Sequence, residues 1–176
     1  MEWFSLFINT ALLMGACDPY GLHREKKQVY INQIIKQAEL QQQDPYELLA
    51  IAITESSLNP KAYSRTKDVG LFQVNCRWWY KKFKYDNIKQ CEASLMDPEL
   101  NISKGIYILT HFRNNYKQCK GEFAYRCYNG GQGWPRSRNK HKIVNYGNKV
   151  RQRKKILHKY YKEMIEKVRL HFKTRS

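Results

Sequence analysis

Apolar residues recur along much of this chain at the three- and four-residue spacing of amphipathic helices. Residues 97–112 form one predicted helix, entered near Asn101. Residues 24–42 form another, whose apolar face consists of Tyr30, Ile31, Ile34, Ile35 and Ala38. Residues 144–173 form a third, with Leu157, Tyr161, Met164, Val168 and Phe172 along one face.

Residues 44–55 differ from these amphipathic segments because they are apolar on nearly every side. This pattern predicts a central, buried helix. Asp44 can cap its N-terminus, Pro45 suits its first turn, and Glu47 would complete a capping box. Asn59-Pro60 would end it.

Two shorter elements complete the prediction. The segment GLFQVN, residues 70–75, indicates a short strand after a turn. Gly121 interrupts the chain, and residues 122–131 indicate a short helix that ends at glycine. The predicted fold class is therefore mostly α with a small β element, that is, α+β.

The first seventeen residues have a different character. The apolar stretch from Trp3 to Ala16 is shorter than the roughly 20 residues that a bilayer requires, but it suits a secretory signal. The segment MGAC resembles a bacterial lipobox that ends at Cys17, although Met14 replaces the usual leucine. We expect residues 1–17 to be a signal peptide or membrane anchor with Cys17 as its lipidation site; an N-terminal core helix is the alternative.

The other predicted domain boundaries follow once residues 1–17 are set apart. We expect residues 18–150 to form the catalytic domain and the basic helix 151–176 to pack on it. The protein would be exported to the periplasm or cell envelope, and lipidation of Cys17 would make it a membrane-anchored lipoprotein.

The five cysteines fit export. They show no C-x-x-C spacing, and no histidine pair has ligand spacing, so no zinc or other metal site is expected. If Cys17 is lipidated, four cysteines remain and can form two disulfides in three pairings. We expect Cys76–Cys91 and Cys119–Cys127, since the first bridge would restrain a loop with two tryptophans and the second would clamp the chain near Gly121. Four buried thiols are the alternative.

The net charge of the chain limits the class of partner that it would bind. The chain has 32 Lys and Arg against 15 Asp and Glu, a formal net charge of +17. Such a balance indicates a polyanionic partner: nucleic acid, an anionic membrane surface or an acidic wall polymer.

Glu55 is the main candidate for chemistry. It follows the apolar run LLAIAI at the end of the central helix. Burial there would raise the pKa of its carboxyl group, and the negative end of the helix dipole would act in the same direction. A carboxylic acid that stays protonated near neutral pH can cleave a glycosidic bond as a general acid. Position alone favours a carboxylate that simply reaches solvent.

Four motifs favour a catalytic role for Glu55 instead. The segment ESSLNPKAYS with DVGLFQVN, then LMDPELNISKGIYIL, CYNGG and NYGNKV, together resemble the lytic transglycosylase family, which has a lysozyme-like fold. They occur in the family's order over roughly residues 25–150. Cys127 and Gly130 each replace an alanine of the usual motif, and Lys67-Asp68 stands where many members have Gly-Ala. The version from Asp68 to Asn75 is similar to small members that accompany secretion systems, pili or phage injection machinery.

The resemblance implies an activity and a set of site residues. Glu55 would be the single acid for cleaving peptidoglycan between N-acetylmuramic acid and N-acetylglucosamine, giving 1,6-anhydro-muramyl ends without metal or cofactor. Tyr146 would direct its hydroxyl group at Glu55. The expected substrate-binding residues are Ser56, Ser64, Gln73, Asn75, Tyr128 and Asn129, although Ser64 suits shaping of the turn better.

Two alternatives remain open. A hydrolytic muramidase on the same fold would use Asp68 to hold a water molecule. A non-enzymatic basic module would bind nucleic acid or an anionic membrane through residues 136–176, in which Glu163 and Glu166 are the only acids. We consider nucleic acid the weaker partner and expect the charge to draw an enzyme to peptidoglycan and anionic envelope polymers.

The lipidation hypothesis makes a direct prediction. Replacing the thiol that would carry the lipid, in Cys17→Ser, should release the protein from membranes, because the acyl chains that anchor a lipoprotein cannot be attached. Fractionation of expressing cells into membrane and soluble pools measures this. An intact Met1 on the mature protein, read by N-terminal sequencing, would exclude lipidation.

Overall fold

A computed structural model describes residues 20–22 and 24–173. The predicted signal or anchor and its lipidation site Cys17 therefore lie outside the described residues, as do the side chains of Met164, Val168 and Phe172. The helices are α1 Glu25–Leu40, α2 Pro45–Ser56, α3 Cys76–Trp79, α4 Ile88–Ser94, α5 Pro98–Asn115, α6 Phe123–Gly130 and α7 Lys140–Lys173, with 3₁₀ turns at Lys117–Cys119 and Trp134–Arg136. Strands β1 Asp68–Val69 and β2 Val74–Asn75 pair antiparallel. The predicted mixture of many helices and a small β element is confirmed.

Helix α2 occupies the centre of the fold. Its residues 48–53 are buried on all sides, as their uniform apolarity predicts. Asp44 caps the helix and accepts hydrogen bonds from the backbone N–H groups of Tyr46 and Glu47 at 2.9 and 3.3 Å. The helix ends where Ser57 adopts a left-handed conformation with φ of 54°. Helices α1 and α7 pack against it.

Glu47 does not complete a capping box, contrary to the prediction. Its side chain is buried, and its carboxylate accepts hydrogen bonds from Arg113 at 2.8 Å and from the Tyr125 hydroxyl at 2.7 Å. Both partners belong to other helices. The ion pair with Arg113 joins α2 to α5, and the hydrogen bond from Tyr125 joins α2 to α6. A local motif could not reveal this role, because the partners lie 66 and 78 residues away.

The predicted strand over residues 70–75 is wrong in its extent. Only Val74 and Asn75 form a strand, which pairs with Val69 and Asp68, while residues 70–73 make the turn between them. The prediction failed because Leu71, Phe72 and Val74 are apolar and buried, a composition that turns rarely have.

The start of helix α5 also differs from the prediction. The helix begins at Pro98, three residues before Asn101, because the Asp97 side chain caps it by accepting from the Leu100 N–H at 2.8 Å. The short helices α3 and α4 were not predicted, although Asn75 and Asn87 cap them in the same manner.

Asn101 fixes the hairpin turn to helix α5. This fully buried side chain donates hydrogen bonds to the carbonyl oxygens of Val69 at 2.8 Å and Leu95 at 3.0 Å, and it accepts one from the Phe72 N–H at 2.8 Å. Gly70 permits the close approach, since it has φ of +74° and a Cβ atom there would lie 2.4 Å from the Asn101 amide nitrogen. The turn is thus held by side-chain hydrogen bonds.

Two disulfides restrain the segments around this turn. Cys76 is bonded to Cys91 and Cys119 to Cys127, the same pairs that the sequence analysis expects. The first links α3 to α4, and the second links the 3₁₀ turn Lys117–Cys119 to α6.

Helix α7 is continuous across residue 150, where the sequence analysis placed a domain boundary. Val150, Leu157, Tyr160 and Tyr161 are all buried in the common core, so the first part of the basic segment packs with the rest of the fold. In the part of the chain that the structure describes, no helix is both long and apolar enough to cross a membrane.

Loss of the Asn101 contacts should destabilise the fold. Asn101→Leu leaves two carbonyl groups and one N–H group buried without a partner, which should lower the free energy of unfolding by roughly 3 kcal/mol. Urea denaturation followed by circular dichroism measures the change. The control is Asn114→Leu, the same substitution at an exposed position of α5, which should have little effect; equal losses in both variants would refute the role of Asn101.

Candidate active site

Glu55 lies in the last turn of α2, where the central helix reaches the surface of a groove. Its carboxylate accepts a hydrogen bond of 2.5 Å from the hydroxyl group of Tyr146 in helix α7. The two residues are 91 positions apart in the chain. Packing of α7 against α2 therefore creates the contact that the sequence analysis expected between them.

The surroundings of Glu55 change its acidity. Burial of the carboxyl group raises its pKa from 4.5 to about 7, although the side chain remains partly accessible from the groove. The Tyr146 hydrogen bond acts in the opposite direction because it stabilises the carboxylate, and the negative charge of Asp68 raises the pKa further. Desolvation prevails, so Glu55 can carry a proton close to neutral pH.

The groove in front of Glu55 encloses about 730 Å³. One wall is the β-hairpin, which contributes Thr66, Asp68, Gln73, Val74 and Asn75. The opposite wall consists of Tyr128 and Asn129 with the glycine-rich segment 130–133 after α6. The last part is aromatic and is lined by Trp78, Trp79, His111, Phe112 and Tyr116.

Polar side chains hold the hairpin wall together. Gln73 lies at the turn with φ of 45°, and its amide nitrogen donates to the carbonyl oxygens of Ala62 at 3.1 Å and Gly70 at 3.0 Å. The amide nitrogen of Asn75 donates to the Thr66 carbonyl at 3.0 Å. Gln73 and Asn75 thus line the groove while their amide nitrogens support the loop.

Asp68 is engaged within the same loop. One carboxylate oxygen accepts hydrogen bonds from the hydroxyl groups of Ser64 at 2.6 Å and Thr66 at 2.5 Å. The other accepts from the Asn75 amide at 2.5 Å. Three donors of the hairpin therefore occupy three of the roughly four acceptor sites of this carboxylate.

Tyr128 joins the two walls. Its hydroxyl group donates to the Phe72 carbonyl oxygen at 2.7 Å, so helix α6 is tied to the hairpin turn across the groove. Burial raises the pKa of the Tyr128 phenol well above its usual value, with a further contribution from the charge of Glu55. Asn129 is exposed at the groove.

Ser56 and Ser64 occupy different places from the other expected binding residues, because neither lines the groove. The Ser56 hydroxyl donates to the Leu71 carbonyl at 2.9 Å, which fastens the end of α2 to the hairpin. Ser64 hydrogen-bonds Asp68 and shapes the loop, as its alternative interpretation anticipated.

The sequence predicted only some of the aromatic residues that line the groove. Of the two tryptophans in the loop that the first disulfide closes, Trp78 is 81% exposed. His111, Phe112 and Tyr116, which line the groove from α5 and the segment that follows it, were not predicted. The Trp79 ring contacts His111 and Phe112 edge-on, with ring centroids 5.6 and 5.7 Å apart. The signal in the sequence is the four-residue spacing between Tyr107 and His111 and between Phe112 and Tyr116, which brings the rings of each pair together on a helix.

This chain is similar in sequence and in fold to several known proteins. The family model described as the transglycosylase SLT domain matches residues 32–150. The membrane-bound lytic murein transglycosylases C of Yersinia pestis and Yersinia pseudotuberculosis are each 36% identical over 95 residues, which covers 49% of this chain and 26% of the relative. The match thus spans about a quarter of the length of these relatives.

Solved structures show the same fold. The 70-kDa soluble lytic transglycosylase from Escherichia coli matches with a TM-score of 0.55 and 22% identity over 76% of this chain and 24% of that one. The complex of the 70-kDa soluble lytic transglycosylase with bulgecin A matches with a TM-score of 0.59 and 20% identity over 93% of this chain and 28% of that one. These matches confirm the lysozyme-like fold.

The pKa of Glu55 should make stability depend on pH. Because the folded protein holds this proton up to about pH 7 and the unfolded chain releases it near 4.5, the free energy of unfolding falls as the pH rises through that window. Glu55→Gln has no such proton, so its stability relative to wild type should increase by up to about 3 kcal/mol from pH 4.5 to 8. Urea denaturation at each pH measures the difference. Glu39→Gln, which removes an exposed carboxylate from α1, is the control; a flat difference for Glu55→Gln would contradict the raised pKa.

Proposed function

This chain belongs to the transglycosylase SLT domain family, and on that premise we propose that it is a peptidoglycan lytic transglycosylase, a glycan-strand lyase. Its substrate is the β-1,4 bond between N-acetylmuramic acid and N-acetylglucosamine. The Yersinia relatives are described as lytic murein transglycosylases, which supports this substrate class.

One observation carries the proposal. Glu55 stands at the groove with a pKa raised to about 7 and a tyrosine hydroxyl 2.5 Å away. A two-carboxylate glycosidase requires a second acid placed across the scissile bond. The other groove-lining carboxylate, Asp68, is hydrogen-bonded to three donors of its own loop.

The mechanism uses Glu55 twice. In its protonated form Glu55 donates the proton to the glycosidic oxygen, and the bond to C1 of N-acetylmuramic acid breaks. The N-acetyl oxygen of that sugar stabilises the positive charge that develops at C1. Glu55, now a carboxylate, accepts the proton of the C6 hydroxyl group as the C6 oxygen bonds to C1. The products are a 1,6-anhydro-muramyl end and a free N-acetylglucosamine hydroxyl, and no water is consumed.

Neighbouring residues have supporting roles in this proposal. Tyr146 donates its hydrogen bond to Glu55 and stabilises the carboxylate that forms after the first proton transfer. Gln73 and Asn75 offer polar groups from one wall, while Tyr128 and Asn129 do so from the other. Ser56 and Ser64 keep the hairpin in place behind the sugar rings.

A hydrolytic muramidase is the alternative on the same fold. It would need Asp68 to position a water molecule for attack at C1. The three hydrogen bonds that Asp68 accepts favour the lyase over this alternative.

We further infer that the protein works in the cell envelope. The two disulfides support an oxidising compartment such as the periplasm, and the Yersinia relatives are described as membrane-bound. Residues 1–17 would direct export or anchor the chain through Cys17, residues 18–150 would form the catalytic domain, and the basic C-terminal segment 151–176 would pack on it. The net charge of +17 would hold the enzyme near anionic wall polymers or membrane surfaces. A role beside a secretion system, pilus or phage assembly rests on the Asp68–Asn75 motif alone.

Removal of the Glu55 proton should abolish activity. Glu55→Gln keeps the size and hydrogen-bonding capacity of the side chain, yet it cannot deliver a proton, so release of soluble fragments from purified peptidoglycan should fall at least about a hundredfold. Glu39→Gln, which removes an exposed carboxylate from α1, should retain wild-type activity. If Glu55→Gln keeps more than about a tenth of the activity, Glu55 is not the general acid.

The products distinguish the two mechanisms. Mass spectrometry of wild-type digests should find 1,6-anhydro-muramyl ends, which are one water lighter than reducing ends. Reducing muramyl ends as the sole product would support the muramidase instead.

A further inference from the structure

A second, smaller cavity lies beside the Glu55–Tyr146 pair. It encloses about 340 Å³, and its lining residues are Thr54, Lys142, Asn145, Tyr146, Lys149 and Arg153. Tyr146 belongs both to this cavity and to the hydrogen bond with Glu55, and Thr54 is the chain neighbour of Glu55. The cavity and the reaction centre are therefore separated by little more than one tyrosine ring.

Three cations converge on this cavity from one face of helix α7. Lys142, Lys149 and Arg153 are seven and four residues apart, a spacing that places them on the same side of an α-helix. Like charges at such spacings repel each other and destabilise the helix slightly. An anion bound among them would remove this cost.

The protein does not supply that anion from its described residues. In the part of the chain that the structure describes, the ion pairs engage four other cations, namely Arg113, Arg151, Lys154 and Lys159. Lys142 and Lys149 are exposed and form none of these pairs. Arg153 instead lies over the ring of Tyr20, with 6.0 Å between its guanidinium carbon and the ring centroid.

The cavity also has the polar groups that a carboxylate requires. Two ammonium groups and a guanidinium can provide charge-assisted hydrogen bonds, and the Asn145 side chain lies beside them. Its volume is at the lower end of the range for ligand pockets, which suits one amino-acid residue better than a sugar chain.

We propose that this cavity binds a carboxylate group of the stem peptide attached to N-acetylmuramic acid, and that Lys142 and Lys149 thereby favour stems whose carboxylates are free. The inference rests on the proposed function. In a peptide-bearing strand the lactyl carboxyl group of N-acetylmuramic acid is consumed in the amide bond to the peptide, so the free carboxylates are those of the stem peptide. The peptide is attached to the sugar whose C1 bond is cleaved, so its charge arrives next to the site where Glu55 acts.

Two oligosaccharide substrates and two double variants test the proposal. The substrates are defined muropeptide tetrasaccharides whose stem carboxylates are either free or converted to amides. Lys142→Gln/Lys149→Gln removes two charges from the cavity. Lys155→Gln/Lys162→Gln is the matched control, since it removes two charges from exposed positions of the same helix and leaves the same net charge. Unfolding curves verify that each variant is folded.

Wild type and the control should prefer the free-acid substrate by about tenfold in kcat/KM, and the cavity variant should lose most of this preference. Its activity on the amidated substrate should match that of the control. Dissociation constants measured in the Glu55→Gln background should show the same loss for the free-acid substrate, which separates binding from proton transfer.

Three results would overturn the inference. The same loss of preference in both double variants would mean that overall charge, rather than this cavity, attracts the acidic substrate. A cavity variant that keeps its substrate preference but loses binding to vesicles of anionic phospholipid would assign the cations to a membrane surface. Cleavage of both substrates at equal rates by wild type would refute the selection of stem carboxylates alone. A fourth result, no cleavage of either substrate by wild type, would instead refute the proposed function itself.

Discussion

The hydrogen bond between Glu55 and Tyr146 is the contact on which the rest of the site depends. A carboxyl group at the end of a buried helix loses much of its hydration, so it needs a partner to remain in the fold without a large penalty. The chain provides that partner from a helix 91 residues later. The packing of α7 against α2 is therefore as necessary to the chemistry as Glu55 itself, and the strong burial of α2 maintains this packing.

The hairpin wall illustrates how a short element is made rigid. Four residues of strand cannot form a stable sheet alone. The Asn101 side chain hydrogen-bonds the backbone of the turn from helix α5. Asp68 accepts hydrogen bonds from three donors within the loop. The Tyr128 hydroxyl group donates to the turn from the opposite wall. A groove built in this way keeps its shape before a ligand arrives, which lowers the cost of binding a flexible polymer.

The aromatic and the charged surfaces suit different chemical groups of a ligand. Exposed rings such as Trp78 suit the apolar faces of sugars, while the cavity beside Tyr146 suits an anion. The two surfaces are distinct, since the residues that line the groove and those that line the cavity do not overlap. In the function proposed above, this separation would let a basic protein bind a largely uncharged polymer and still discriminate among its charged substituents.

Local patterns in the sequence were sufficient for the main helices, the buried character of α2, the position of Glu55 at its end and the two cysteine pairs. They were misleading for residues 70–75, where buried apolar side chains belong to a turn, and for Glu47, whose partners lie on other helices. The motif resemblance pointed to Tyr146, but only the tertiary structure brought its hydroxyl group to Glu55, placed the rings of α5 at the groove and gathered the cations of α7 beside Tyr146. The physical reason is range: hydrophobic periodicity and capping act within a few residues, whereas burial, pKa and site geometry arise from groups that meet only when distant helices pack.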